Sequence, residues 1–210
     1  VGSVTLINTE ITNNIGNNTI HISYNQTNNT ESLVMDNVQI ENNEGSGIWS
    51  SGYPAGQNIL NNVTINNNTG TGLENLNNAT ISNCIFTNNS GTWGGGLYVF
   101  DTYTHSYAVT LEDCLISENS TSDGAGGLYI AQRGGAQITN CTISKNQCVG
   151  SGGGCIANGN LAFSNCIIEE NTASSNGGGI DTAELSGNSP SFTDCVIQNN
   201  TSTGGPGGGG

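Results

Sequence analysis

An all-β fold, a right-handed parallel β-helix of about eight coils, is predicted by three features of the chain: a recurring nine-residue phrase, columns of nearly pure residue type within it, and no helical periodicity between copies. The phrase reads ISNCIFTNN at residues 81–89 and returns as LEDCLISEN, ITNCTISKN, FSNCIIEEN and FTDCVIQNN. Aligned on its fourth position, it stands at Thr9, Val38, Val63, Cys84, Cys114, Cys141, Cys166 and Cys195, at intervals of 21 to 30 residues. Such periods belong to solenoids, in which one repeat cannot bury its own apolar face and must stack on its neighbours.

The first stretch of each repeat carries Leu6, Met35, Leu60, Ile81, Leu111, Ile138, Phe163 and Phe192, three positions before the Cys column. The second carries Ile11, Ile40, Ile65, Phe86, Ile116, Ile143, Ile168 and Ile197, two positions after it. The latter spacing has strand parity and the former does not, so the chain bends between them. Just there stand Asn8, Asn37, Asn62, Asn83, Asp113, Asn140, Asn165 and Asp194, of the residue types that tolerate left-handed backbone. A second Asn column, Asn14, Asn43, Asn68, Asn89, Asn119, Asn146, Asn171 and Asn200, is read as another turn and as a ladder of side-chain amides bonded coil to coil. After a variable loop, a Gly turn opens a further short strand in GSGIW, GTGLE, GGGLYV, AGGLYI, GGGCIA and GGGIDT. Stacked in register, the aliphatic and Cys columns line an interior, and residues 1–200 form a single domain. Residues 201–210 are the Gly-rich end of the last coil or a linker.

The pairing of GGGLY, GGGI or AGGLY with a following CIFTNN, CTISKN or CIIEEN resembles the repeats of the chlamydial polymorphic outer membrane proteins. More broadly it is similar to the right-handed β-helices of the pectin-lyase-like superfamily, including autotransporter passengers. The likeness covers residues 79–210 well and 1–78 more loosely, since Thr or Val replaces Cys in the first three copies. It implies the fold rather than an activity, because that superfamily holds lyases, hydrolases, adhesins and inert stalks.

Composition narrows the partners. Apolar residues make up 33% of the 210, Gly numbers 32, and Lys+Arg 2 against Asp+Glu 16 leaves a net charge of -14. Nucleic acid and anionic membrane surfaces would be repelled, and no apolar run is long enough to cross a bilayer. Seven Cys with few charges and much Asn suit an extracellular or cell-surface protein. Val1 at the start suits a processed segment. The expected lack of a cap at either end implies further coils or end-to-end stacking with a neighbour.

Chemistry is sparse. A lyase needs a strong base beside calcium-binding acids, whereas Arg133 and Lys145 read as solvated turn residues. A hydrolase needs paired carboxylates on one face, but Glu169 and Glu170 are adjacent, and Asp101, Asp123 and Asp181 lie in or beside loops. His21 and His105 share no metal spacing with each other or with Cys, and no cofactor or metal is expected. The Cys column is read as small hydrophobes. Cys148 and Cys155 flank a Gly-rich loop and form a candidate disulfide, although Cys155 also aligns with Leu97, Leu128 and Ile180 and would suit a packed thiol. Asn17, Asn25, Asn28, Asn67, Asn78, Asn88 and Asn199 are candidate glycosylation acceptors.

One residue past the Cys column, Ile85, Leu115, Ile167 and Val196 form an outward apolar stripe, interrupted by Thr142. It is covered either by loops such as the long insertion VFDTYTHSYAV or by another molecule. The expected function is a non-catalytic, extracellular structural or adhesive rod: a surface stalk, passenger or filament subunit. Its expected partners are copies of itself, end to end or side by side, and host or matrix glycans or proteins. The alternative is a carbohydrate-binding or polysaccharide-cleaving β-helix that uses Trp49, Trp93, Tyr98 and Tyr129 as stacking surfaces. That alternative requires aromatics and carboxylates in one groove, whereas a rod requires only regular columns.

Overall fold

The computed structural model describes residues 3–24, 31–52, 56–100, 108–182 and 189–204, so the sequence candidates Asn25, Asn28, Asp101 and His105 lie outside the described residues. The strands of each coil pair in parallel with those of the next, as in Val4–Thr12 with Leu33–Glu41 and Leu33–Glu41 with Asn58–Asn66. The register follows the sequence columns. Leu6, Met35, Leu60, Ile81, Leu111, Ile138, Phe163 and Phe192 pair in succession. So do Ile11, Ile40, Ile65, Phe86, Ile116, Ile143, Ile168 and Ile197. The chain is a parallel β-solenoid.

Two left-handed residues per level shape the coil. The first is the Asn/Asp column before the Cys column, with φ between 49° and 55° from Asn8 to Asp194. The second stands one residue before the ladder, at Asn13, Asn42, Asn67, Asn88, Glu118, Lys145, Glu170 and Asn199 (φ 54° to 58°). The sequence places this turn on the ladder asparagines themselves. It falls one position earlier because a ladder amide must point inward to meet its neighbours, and the preceding residue supplies the bend. Glu118, Lys145 and Glu170 hold that conformation against an intrinsic cost of roughly 1–2 kcal/mol each, since the fixed ladder leaves the backbone no alternative.

The core is a continuous file of fully buried side chains from Leu33 and Met35 through Phe163 and Ile168. The repeat stands at eight levels, but only six are enclosed turns. Leu6 and Ile11 at the first level are partly buried, and Phe192 and Ile197 at the last are 38% and 39% exposed. The expectation of about eight coils therefore becomes six enclosed turns between two open ones.

Candidate functional site

The strand that follows each Gly turn builds the site. Its inward side chains are Ile20, Ile48, Leu73, Leu97, Leu128, Cys155 and Ile180, paired rung to rung. The next residue on each rung faces out, because side chains alternate along a strand. Those residues are His21, Trp49, Glu74, Tyr98, Tyr129, Ile156 and Asp181, also in register. Trp49, Glu74, Tyr98 and Tyr129 thus occupy four successive rungs of one column, each half-buried. Ring contacts tie the column together: His21 to Trp49 at 4.4 Å between centroids and Tyr98 to Tyr129 at 5.2 Å, both tilted. Phe100, two residues along from Tyr98, stacks on it at 6.2 Å.

Beside this column lies a cleft of about 280 Å³ lined by Ser46, Thr69, Thr71, Glu74, Ser90, Thr92, Trp93 and Tyr98. Trp93 sits on the loop wall and is 49% exposed, a large indole face offered to solvent. The Glu74 carboxyl is held above the usual glutamate range by burial, against hydrogen bonds from the Trp49 indole and the Ser46 hydroxyl that lower it. Burial, with the charges of Tyr129 and Glu74, pushes the Tyr98 hydroxyl up to about 12, so it remains a hydrogen-bond donor. Among the described lining residues Glu74 is the sole carboxylate and there is no Lys or Arg. A second, shallower hollow, lined by residues such as Asn13, Asn42, Asn67 and Glu44, holds no aromatic ring.

The Cys column is buried at Cys84, Cys114, Cys141 and Cys166, with Cys195 half-buried. Its thiols do more than fill space. Each donates to the carbonyl two residues upstream, which the left-handed bend turns toward the interior: Cys84 to Ser82 at 3.1 Å, Cys114 to Glu112 and Cys141 to Thr139 at 3.2 Å, and Cys166 to Ser164 at 3.3 Å. Thr9 makes the same bond to Ile7 at 2.9 Å, which explains why Thr can stand in for Cys. The candidate disulfide is corrected: all seven cysteines are free thiols. Cys155 points inward between Leu128 and Ile180, whereas Cys148 pairs with Thr121 and Ala173 in a different strand file and donates to Gly124 O at 2.6 Å. The two belong to different walls of the coil, so the Gly loop does not bring them together.

The model of the family described as right-handed beta helix region matches residues 1–162 and again 105–207. The chain is a right-handed β-helix of that family. No curated protein matches it in sequence.

The β-helix places the other sequence candidates as follows. The ladder asparagines bond in one unbroken series from Asn14 to Asn200. Asn67, Asn88 and Asn199 occupy the left-handed column, and Asn67 already donates its amide to Asn42 at 2.7 Å. Asn78 is half-buried with its amide on the Gly56 carbonyl, while Asn17 is exposed. Ile85, Ile167 and Val196 remain 39%, 39% and 46% exposed, and Leu115 is half-buried. Lys145 meets Glu170 at 4.0 Å on the left-handed column, and Glu169 accepts from Gln198 at 2.8 Å, so neither acid approaches the cleft column. Among the described residues no three His, Cys, Asp or Glu side chains come together as a metal group.

Two features were missed in the sequence. Asn58 is fully buried, accepting from the Tyr24 hydroxyl at 2.7 Å and the Leu33 N–H at 2.8 Å while donating to Asn77 O. It pairs in register with Ala79, which pairs with Val109, so it is an amide in a file that is otherwise apolar, and no periodic signal marks it. Glu74 could have been found, because it follows the Gly-turn apolar residue as Trp49, Tyr98 and Tyr129 do.

Proposed function

We propose that this β-helix is a non-catalytic, extracellular adhesive rod whose binding face is the column of Trp49, Glu74, Tyr98 and Tyr129, with carbohydrate as its ligand. The observation that carries the reading is the register itself: three aromatic rings and a carboxylate on four successive rungs, with Trp93 exposed across a hydroxyl-lined cleft. A structural rod needs its inward columns and the ladder, and nothing in coil stacking demands outward rings. Aromatic faces beside a few converging polar groups are the usual composition of a sugar site. Non-catalysis is supported by the single carboxylate among the described residues of the cleft, since glycoside hydrolysis uses a pair flanking the scissile bond.

The test is a glycan array probed with the wild-type rod and with Trp93→Ala, followed by chromatography of any bound oligosaccharide after long incubation. Selective binding lost in the variant, with the sugar recovered uncut, is the expected result. Cleaved sugar would replace adhesion with hydrolysis, and an empty array would remove the glycan reading.

The exposed stripe favours a second association, side by side between copies of the rod. Sedimentation at rising concentration tests it: Ile85→Ser with Ile167→Ser should abolish any concentration-dependent increase in mass, and a wild type monomeric throughout would dismiss it.

A further inference from the structure

Resting on the glycan-binding reading above, we infer that the cleft takes an uncharged polysaccharide lying along the rod axis and excludes polyuronates. Three observations converge. The first is charge. A uronic acid needs a cation at its carboxylate, yet among the described residues no Lys or Arg lines the cleft, and the chain holds only 2 in all against 16 acids. Lys145 pairs with Glu170 instead. The carboxylate that does line the cleft, Glu74, would face an incoming anion in a partly desolvated setting, where repulsion between like charges is weakly screened.

The second is the match of groups. A neutral pyranose has an apolar face and a rim of hydroxyls. Tyr98 and Trp93 supply faces, while Glu74 accepts and Ser46 and Thr92 exchange hydrogen bonds with hydroxyls. Glu74 already takes bonds from the Trp49 indole and Ser46, which fix its orientation, and a carboxylate has lone pairs to spare.

The third is spacing. Trp49, Glu74, Tyr98 and Tyr129 lie on consecutive rungs, so the column from Trp49 to Tyr129 spans three coil steps, about 14 Å. An extended polysaccharide advances by about one pyranose width per residue, close to a single step. A chain of about four sugars laid along the axis would meet the column throughout, whereas a chain laid across it would meet one ring.

The experiment is native affinity electrophoresis of the intact chain in gels holding a soluble neutral β-glucan, a galactomannan, or polygalacturonate with and without calcium. Trp93→Ala and, independently, Tyr98→Ala are run beside it, and their folding is checked by circular dichroism. Retardation by at least one neutral polymer and by neither polygalacturonate gel is expected. Each variant should weaken it about tenfold, the loss of one stacking face. Affinity for the matching oligosaccharides should climb to about four sugars and then level off. Retardation by polygalacturonate, relieved in the variants, would overturn the inference and leave the glycan reading standing. Neutral binding that neither variant weakens would overturn it by removing the site. Migration unchanged in every gel would defeat the glycan reading and the inference together.

Discussion

The side-chain oxygen of Asn171 accepts two hydrogen bonds from Asn146, one from the backbone N–H at 2.9 Å and one from Nδ2 at 3.0 Å. The same Nδ2 also donates to the Ile116 carbonyl at 2.9 Å, and Asn146 Oδ1 in turn receives the N–H and amide of Asn119. Every polar atom of a buried amide is thereby used. Asn146→Ala should leave partners on both sides unsatisfied and cost about 3–5 kcal/mol, read from denaturant unfolding. Asn146→Asp should lose nearly as much at neutral pH, because a carboxylate cannot donate. A loss under 1 kcal/mol for both would show that water replaces the ladder.

Gly96 is required for space. A Cβ there would stand 2.8 Å from the Gly127 carbonyl and 2.9 Å from both Asn119 Nδ2 and Ile116 Cγ2. Gly96→Ala should destabilise by about 1–3 kcal/mol, while Gly16→Ala, whose Cβ would meet nothing closer than 4.0 Å, should be nearly neutral in the same thermal melt.

Thiol chemistry should separate the cysteines. Burial pushes Cys148 up to about 11, and the neighbouring Cys114 thiol, with burial, pushes Cys141 up to about 12. An acid whose pKa is raised holds its proton longer, so Cys141 and Cys148 hold little thiolate at pH 8 in the folded rod, while Cys84, which its neighbour Cys114 shifts down, is shielded by complete burial. Ellman's reagent at that pH should label Cys195, the one half-buried thiol, and reach the other six only after unfolding. Cys141→Thr should keep the bond to the Thr139 carbonyl, as Thr9 does to Ile7, and should exceed Cys141→Ala in stability by about 1 kcal/mol. Equal melting of the two variants would reduce the column to packing.

Glu74 sets a pH dependence. Its folded-state pKa is raised, so its contribution to stability is fully present below the unfolded-state value and is lost as pH rises through the folded one. Glu74→Gln accepts the same bonds without a charge to desolvate. The variant should melt higher than wild type at neutral pH, and the gap should close on acidification below the glutamate range. A gap that widens there would mean the carboxylate is stabilised by its partners rather than penalised by burial.

Most of the fold was legible because a solenoid converts sequence period into spatial register: the column of Leu6 and Phe192 is the same wall of the same tube. What periodicity could not reveal was any position whose partner lies outside its column. Asn58 is such a case, bonded to the Tyr24 hydroxyl, and so is the separation of Cys148 from Cys155, which their closeness in sequence conceals. The cleft was half legible. The aromatics of the cleft and of the column beside it were visible as a set, but the carboxylate among them became apparent only when Glu74 fell into register between Trp49 and Tyr98. The role of the thiols was hidden because a donor to a bend carbonyl and a small hydrophobe leave the same letter in the sequence.

The repeats differ in length, 21 residues in one step and 30 in another, yet the ladder and both apolar files keep register across every step. The surplus is confined to the segments between the ladder turn and the next repeat. Residues 111–137, from one Leu/Ile position up to the next, could therefore be excised or duplicated with the flanking rungs meeting as before. Reach along a ligand would then change in whole rungs, a coarse adjustment available to gene rearrangement without redesign of any single contact.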